Sequence, residues 1–155
     1  MITVALSASI GARAEHVWRA LTDPDLRLAW DERILGEVSL SAASRRNSLP
    51  ISGQGRCWRF KLGGVPMLLQ YDVITSEPGD RHVSRMSIGS MRFDQTLTFF
   101  SEDDETGPHT RVGMKLVAHN SIAVIGEIIP RSDVQKIIME YIDTTLRHVQ
   151  KYCER

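Results

Sequence analysis

The sequence predicts an α+β fold in which a seven-stranded, curved antiparallel sheet wraps around a long C-terminal helix, with two short helices after the first strand. Three observations carry this expectation. Apolar residues alternate at period two between Leu35 and Ala118, two glycine-bearing turns fix hairpin registers inside that run, and an amphipathic stripe follows Pro130. A curved sheet gripping a helix tends to enclose an apolar pocket, so ligand binding is the first functional expectation.

Ile2, Val4 and Leu6 alternate with small or polar neighbours, the pattern of a half-buried strand that Gly11 ends. Ala14, Val17, Trp18 and Leu21 fall at i, i+3, i+4 and i+7, the stripe of a helix. Asp23 caps a second short helix that starts on Pro24, where a missing N–H costs nothing, and carries Leu26 and Trp30. Six strands follow. The Gly63-Gly64 loop pairs Leu62 with Val65, Phe60 with Met67, Trp58 with Leu69 and Arg56 with Tyr71 on one face, and leaves Cys57 with Gln70 and Arg59 with Leu68 on the other. Pro66 falls where its absent N–H points away from its hairpin partner. The Gly89-Ser90 loop likewise pairs Ile88 with Met91, Met86 with Phe93, Ser84 with Gln95 and His82 with Leu97, and sets Arg85 against Asp94 on the opposite face. Turn register and apolar face agree in both hairpins.

The acidic run from Ser101 to Pro108 reads as a solvated loop, and the strand after it carries Val112, Met114, Leu116 and Ala118 in a register that the loop's length leaves open. Ile122 to Ile129 reads either as a short helix or lid over the cavity, hinged at Gly126 and Pro130, or as core packing beneath the last strand. Ser132 then caps a helix whose stripe is Val134, Ile138, Tyr141, Ile142, Val149 and Tyr152.

At 155 residues the chain fits one domain over 1–155, long enough to bury roughly 70% of its unfolded surface. Lys plus Arg equals Asp plus Glu at 19 each, so no chain-wide field draws it to nucleic acid or anionic lipid. Cys57 and Cys153 form neither a C-x-x-C pair nor a disulfide framework and read as reduced thiols, which points to the cytoplasm. The N-terminus has no basic region before its apolar part, and the longest apolar stretch is too short to span a bilayer, so neither export nor stable membrane insertion is expected. The five histidines are scattered, without H-E-x-x-H or paired spacing, and no phosphate or dinucleotide loop is present; no metal and no cofactor is expected.

The stretch Ile10-Gly11-Ala12-Arg13-Ala14-Glu15-His16-Val17-Trp18-Arg19-Ala20-Leu21-Thr22-Asp23-Pro24, followed by Trp30, resembles the helix–helix segment of the START-like superfamily, also called SRPBCC, and the element order matches it nearly end to end. The resemblance implies the helix-grip fold and a ligand pocket. It also implies a menu of roles: lipid carriers, hormone and secondary-metabolite binders, polyketide cyclases, oxygenase domains and chaperone-linked proteins. The branches similar to polyketide cyclases/dehydrases and to a small subunit of carbon monoxide dehydrogenase stand nearest, and no motif chooses between them.

On the inner face Trp58, Phe60, Met67, Leu69, Met86, Phe93, Leu97 and Met114, with Met91 and Phe99, make an apolar set, completed by Ile138, Tyr141 and Ile142 on the helix. Such a set serves as plain core as readily as ligand lining, and its methionines favour an adaptable pocket. The polar minority is more informative. Arg56 beside Tyr71 could bind a ligand carboxylate or phenolate, or Arg56 could sit at the rim and reach solvent. Ser84 and Gln95 read as a mutually hydrogen-bonded pair. Arg85 with Asp94 reads as a surface bridge worth about 0–1 kcal/mol, and Asp31-Glu32 as a solvated loop pair rather than a carboxylate at the cavity mouth.

The expected function is binding of a small hydrophobic molecule, such as a lipid, polyketide or aromatic metabolite, between sheet and helix. One alternative is a cyclase or dehydratase in the same cavity, with Tyr71, His82 or Arg56 as general acid or base, although no residue stands out as catalytic. Another is an accessory interaction module with a filled core. A homodimer or an accessory partner stays open.

Overall fold

The chain enters a sheet at one edge and resumes it at the other, and that jump shapes the molecule. The computed structural model describes residues 2–38, 55–89, 91–118, 123–124, 127–128 and 131–155. Strand β1 (Ile2–Ile10) is followed by helices α1 (Ala14–Thr22) and α2 (Pro24–Trp30), and then by β2 (Ile34–Glu37) and β3 (Arg56–Leu62). Strands β4 (Val65–Glu77), β5 (Arg81–Ile88), β6 (Met91–Ser101) and β7 (Thr110–Ala118) complete one antiparallel sheet in the order β1-β7-β6-β5-β4-β3-β2. Because β1 and β2 lie at opposite edges, α1 and α2 carry the chain across the sheet. Helix α3 (Arg131–Cys153) packs chiefly along β1 and also meets α1, α2 and β7.

Both hairpin registers are as the turns predict. Arg56 lies opposite Tyr71, Trp58 opposite Leu69 and Phe60 opposite Met67; His82 lies opposite Leu97, Ser84 opposite Gln95 and Met86 opposite Phe93. The physical reason is local. Gly63 and Gly64 both adopt positive φ, at 56° and 84°, the conformation in which a two-residue loop matches the twist of its flanking strands. The ladder between β4 and β5 begins only at Leu69, so Pro66 removes no bond from that side of its strand. The register of β7, left open by the acidic loop, places Met114 opposite both Leu97 and Leu6. Ser90 lies outside the described residues.

Asp23 caps α2 by accepting a hydrogen bond from the Asp25 amide at 2.9 Å, with Pro24 at the first helical position. The two helices are pinned together by Trp30, whose indole N–H donates to the Ala20 carbonyl at 2.9 Å. One core cluster joins the sheet's concave face, both short helices and the inner stripe of α3, with Trp58, Phe60, Phe93, Met114, Ile138 and Ile142 all buried.

Ile122 to Ile129 needs a correction. Ala123–Val124 (β8) and Glu127–Ile128 (β9) pair as a small antiparallel ladder, so this segment is not a helix; four residues cannot fill a helical turn's worth of bonds where two strands already satisfy them. Residues 122, 125, 126, 129 and 130, and the Ser132 cap, lie outside the described residues.

Candidate functional site

A small cavity of about 20 Å³ lies between α1–α2, the sheet and α3. Leu21, Thr22 and Pro24, at the α1–α2 corner, form its part-exposed end; Leu69, Ser84, Met86, Gln95 and Tyr141 are buried around its inner end, with Arg27, Tyr71 and His82 between. That volume admits about one water, which takes roughly 10–15 Å³ measured in this way. The interior of the described fold is therefore nearly filled by its own side chains.

Six residues predicted for the site line this cavity: Leu69, Tyr71, Ser84, Met86, Gln95 and Tyr141. Trp58, Phe60, Phe93, Leu97, Met114, Ile138 and Ile142 are buried in the core without lining it, and Met67 is part-buried. Arg56 sits at the rim, where its Nε lies 3.3 Å from Glu37 Oε1 and both side chains are substantially exposed. Ser84 and Gln95 do face one another, but at 3.5 Å from Gln95 Nε2 to Ser84 Oγ the bond is long. Gln95 Oε1 has no hydrogen-bond partner among the described residues. A half-turn of the amide would exchange its two ends, so the group can present either a donor or an acceptor.

The residues that sequence reasoning missed are charged. Arg27, on α2, is only 8% exposed, and Asp31, just after that helix, 2%. Asp31 is thus no solvated loop residue, as its neighbour Glu32 is; it stands at the centre of a buried network. Its Oδ2 lies 3.1 Å from Arg27 Nε and 3.0 Å from Arg33 Nη2, and its Oδ1 accepts from Arg33 Nε at 2.9 Å and from the Arg33 amide at 3.2 Å. Arg27 Nη2 donates to the Tyr141 hydroxyl at 2.8 Å, while Arg33 donates to Thr145 Oγ1 at 2.7 Å and to the Tyr141 carbonyl at 3.3 Å. Aromatic faces hold the rest of the charge. The Arg27 guanidinium lies 5.3 Å from the Trp58 ring centre and that of Arg33 4.8 Å from Phe60, within cation–π range. The signal in the sequence was the Arg27–Asp31 spacing at i, i+4, with Arg27 one turn before Trp30 on the inward side of α2.

Electrostatics follow from this packing. Burial opposes the Arg27 charge, but Tyr141 and Asp31 outweigh it and hold the guanidinium above its ordinary value. Burial also works against the Asp31 carboxylate, yet hydrogen bonds from Arg33 and the charges of Arg27 and Arg33 carry its pKa below the usual range. Burial pushes the Tyr71 phenol up to about 12, so it is a donor at neutral pH. Burial pushes His82 down, and its Nδ1 lies 3.1 Å from Ser76 Oγ while its ring meets Trp18 edge-on. Arg85 and Asp94 form the expected surface bridge at 3.7 Å. Among the described residues no group of three His, Cys, Asp or Glu side chains could hold a metal ion, and no helix is long and apolar enough to cross a membrane.

No family model and no curated protein matches the sequence. Solved structures do. A START superfamily protein from Mycobacterium smegmatis superposes with a TM-score of 0.73 at 12% identity, covering 98% of this chain and 97% of that one. The Zhui aromatase/cyclase from a Streptomyces species gives 0.72 at 14% identity, covering 99% and 94%. DynU16, a protein of the dynemicin biosynthetic locus, gives 0.62 at 19% identity, covering 97% of this chain and 46% of that one. The chain has the START-like, or SRPBCC, helix-grip fold.

Proposed function

We propose that this protein binds a small hydrophobic molecule, a lipid, polyketide or aromatic metabolite, in the space between the sheet, the α1–α2 corner and α3. The observation that carries the reading is convergence. Tyr71, Ser84, Gln95 and Arg27 turn polar groups into one internal cavity whose remaining walls are apolar, the make-up of a site that orients a ligand rather than of a plain core. The START-like fold and its aromatase/cyclase neighbour support the same class. Since the cavity holds about one water, a ligand of this kind enters by displacing side chains, and Met86 is the flexible one among them.

Native purification followed by mass spectrometry of the denatured extract tests the reading. A stoichiometric apolar compound, released by the Met86→Trp variant, is the expected result. An empty extract, with no thermal shift across a hydrophobic library, would replace the reading with that of an accessory interaction module. A second reading, a cyclase or dehydratase, is favoured by one specific observation: His82, kept neutral by burial, shares the cavity with the Tyr71 phenol. Turnover of a bound polyketide that collapses in His82→Gln while binding persists would select it.

A further inference from the structure

We infer that the ligand's polar end is an anion, a carboxylate or phenolate, seated on Arg27. This rests on the ligand-binding reading above and narrows it to a class. The buried network holds two guanidinium groups, Arg27 and Arg33, and one carboxylate, Asp31, so one positive charge is left over. Asp31 has both oxygens engaged and its side chain is fully enclosed, which leaves it no capacity for a further cation.

The two guanidinium groups differ in position. Arg33 points away from the cavity, into the Tyr141 carbonyl and Thr145. Arg27 lines the cavity itself. Apart from Asp31, the partner of its guanidinium is the neutral Tyr141 hydroxyl, with the Trp58 ring beside it. The surplus charge therefore lies at the cavity wall.

The opposite wall carries no counter-charge, since no Asp or Glu lines this cavity. What faces Arg27 is a set of neutral groups able to donate: the Tyr71 phenol, the Ser84 hydroxyl and the Gln95 amide, whose far end has no partner among the described residues. A cationic head would meet a guanidinium and no carboxylate. An alcohol could take hydrogen bonds but would leave the charge uncompensated. An oxygen anion answers both conditions, because charge-assisted bonds are the strong ones and a guanidinium presents several donors in one plane. Asp31 and Arg33 act as positioning residues: they fix the plane of Arg27 without touching the ligand.

The test is a matched head-group series on the full chain by calorimetry at neutral pH. Decanoate and naphthalene-2-carboxylate are each compared with the alcohol and the primary ammonium of the same body. The carboxylate is expected to bind about 10-fold or more tighter than its alcohol, as a charged hydrogen bond implies, and the ammonium weakest of the three. Arg27→Gln is expected to bring the carboxylate-to-alcohol ratio to within about threefold of unity, while Arg27→Lys keeps most of it. Loss of both affinities together, with the ratio intact, would mean a structural role for Arg27 and would overturn the inference. So would an alcohol that binds wild type as well as its carboxylate, a result that leaves the ligand-binding reading standing. Failure of all six probes on the wild-type protein overturns both. If Arg27→Gln does not fold, the wild-type and Arg27→Lys ratios still decide.

Discussion

The concave face of the sheet has two unlike halves. Toward β6, β7 and β1 it is dry and apolar: Phe99, Val112, Met114 and Leu116 are buried against the α3 stripe, and Thr110 is satisfied by the Ala12 carbonyl at 2.8 Å. Toward β4, β5 and α2 it carries Tyr71, His82, Ser84, Gln95 and Arg27, and the small cavity. The first half is held by area removed from water, which is non-directional and tolerant of repacking. The second holds polar groups that an apolar residue of equal size could replace without loss of stability, at least where they are incompletely bonded. A domain that needed only to fold would not require the second half, and this is the physical reason for placing function there.

The largest effect expected of a single change tests how far the charged network differs from the dry half. Asp31→Asn strips the carboxylate from between two guanidinium groups, and breaking a buried pair in this way costs about 3–5 kcal/mol, read from denaturant midpoints. In a domain with about 5–15 kcal/mol in total this approaches unfolding. If the loss is under about 1 kcal/mol, Asp31 is not structurally essential and the network is looser than its distances indicate.

A reciprocal pair of substitutions sharpens the comparison next. Leu116→Ala, in the dry half, should cost about 3 kcal/mol through lost burial and a residual cavity. Gln95→Leu, in the polar half, should leave stability within about 1 kcal/mol of wild type while weakening ligand binding, because it removes an oxygen with no described partner. Equal losses at the two sites would erase the distinction.

Acid should find the polar half first. His82 and Asp31 both have pKa values depressed by folding, so each contributes stability that is complete above its unfolded value and is lost as pH falls through its folded one. Stability should therefore decline in two windows, below about 6.5 from His82 and below about 3.9 from Asp31. His82→Gln should flatten the first window and leave the second, as measured by thermal unfolding against pH. The smallest effect belongs to the convex surface, where Arg85→Ala should cost about 0–1 kcal/mol and less in high salt, since both partners of the bridge are exposed.

Legibility followed the range of the interactions. Both hairpins were readable because a two-residue glycine turn dictates register over the next several pairs, and Trp58, Phe60, Met86 and Phe93 then had to share a face. The helical reading of Ile122 to Ile129 failed because a short apolar run fits a helix or paired strands equally well, and neighbours decide. Asp31 failed differently: its type and its place after a helix both suggest solvent, and only the arrival of two guanidinium groups makes burial affordable.

By itself, then, the sequence determined the α+β order, the strand registers and the apolar face, all of which rest on periodicity and turns spanning a few residues. The tertiary structure alone decided that Arg27 meets Tyr141 across 114 positions and Arg33 meets Thr145 across 112. It also decided that the interior closes down to about 20 Å³. Charge placement and cavity volume depend on how α2 and α3 come together over the sheet, and no local pattern encodes a distance between elements that far apart in the chain.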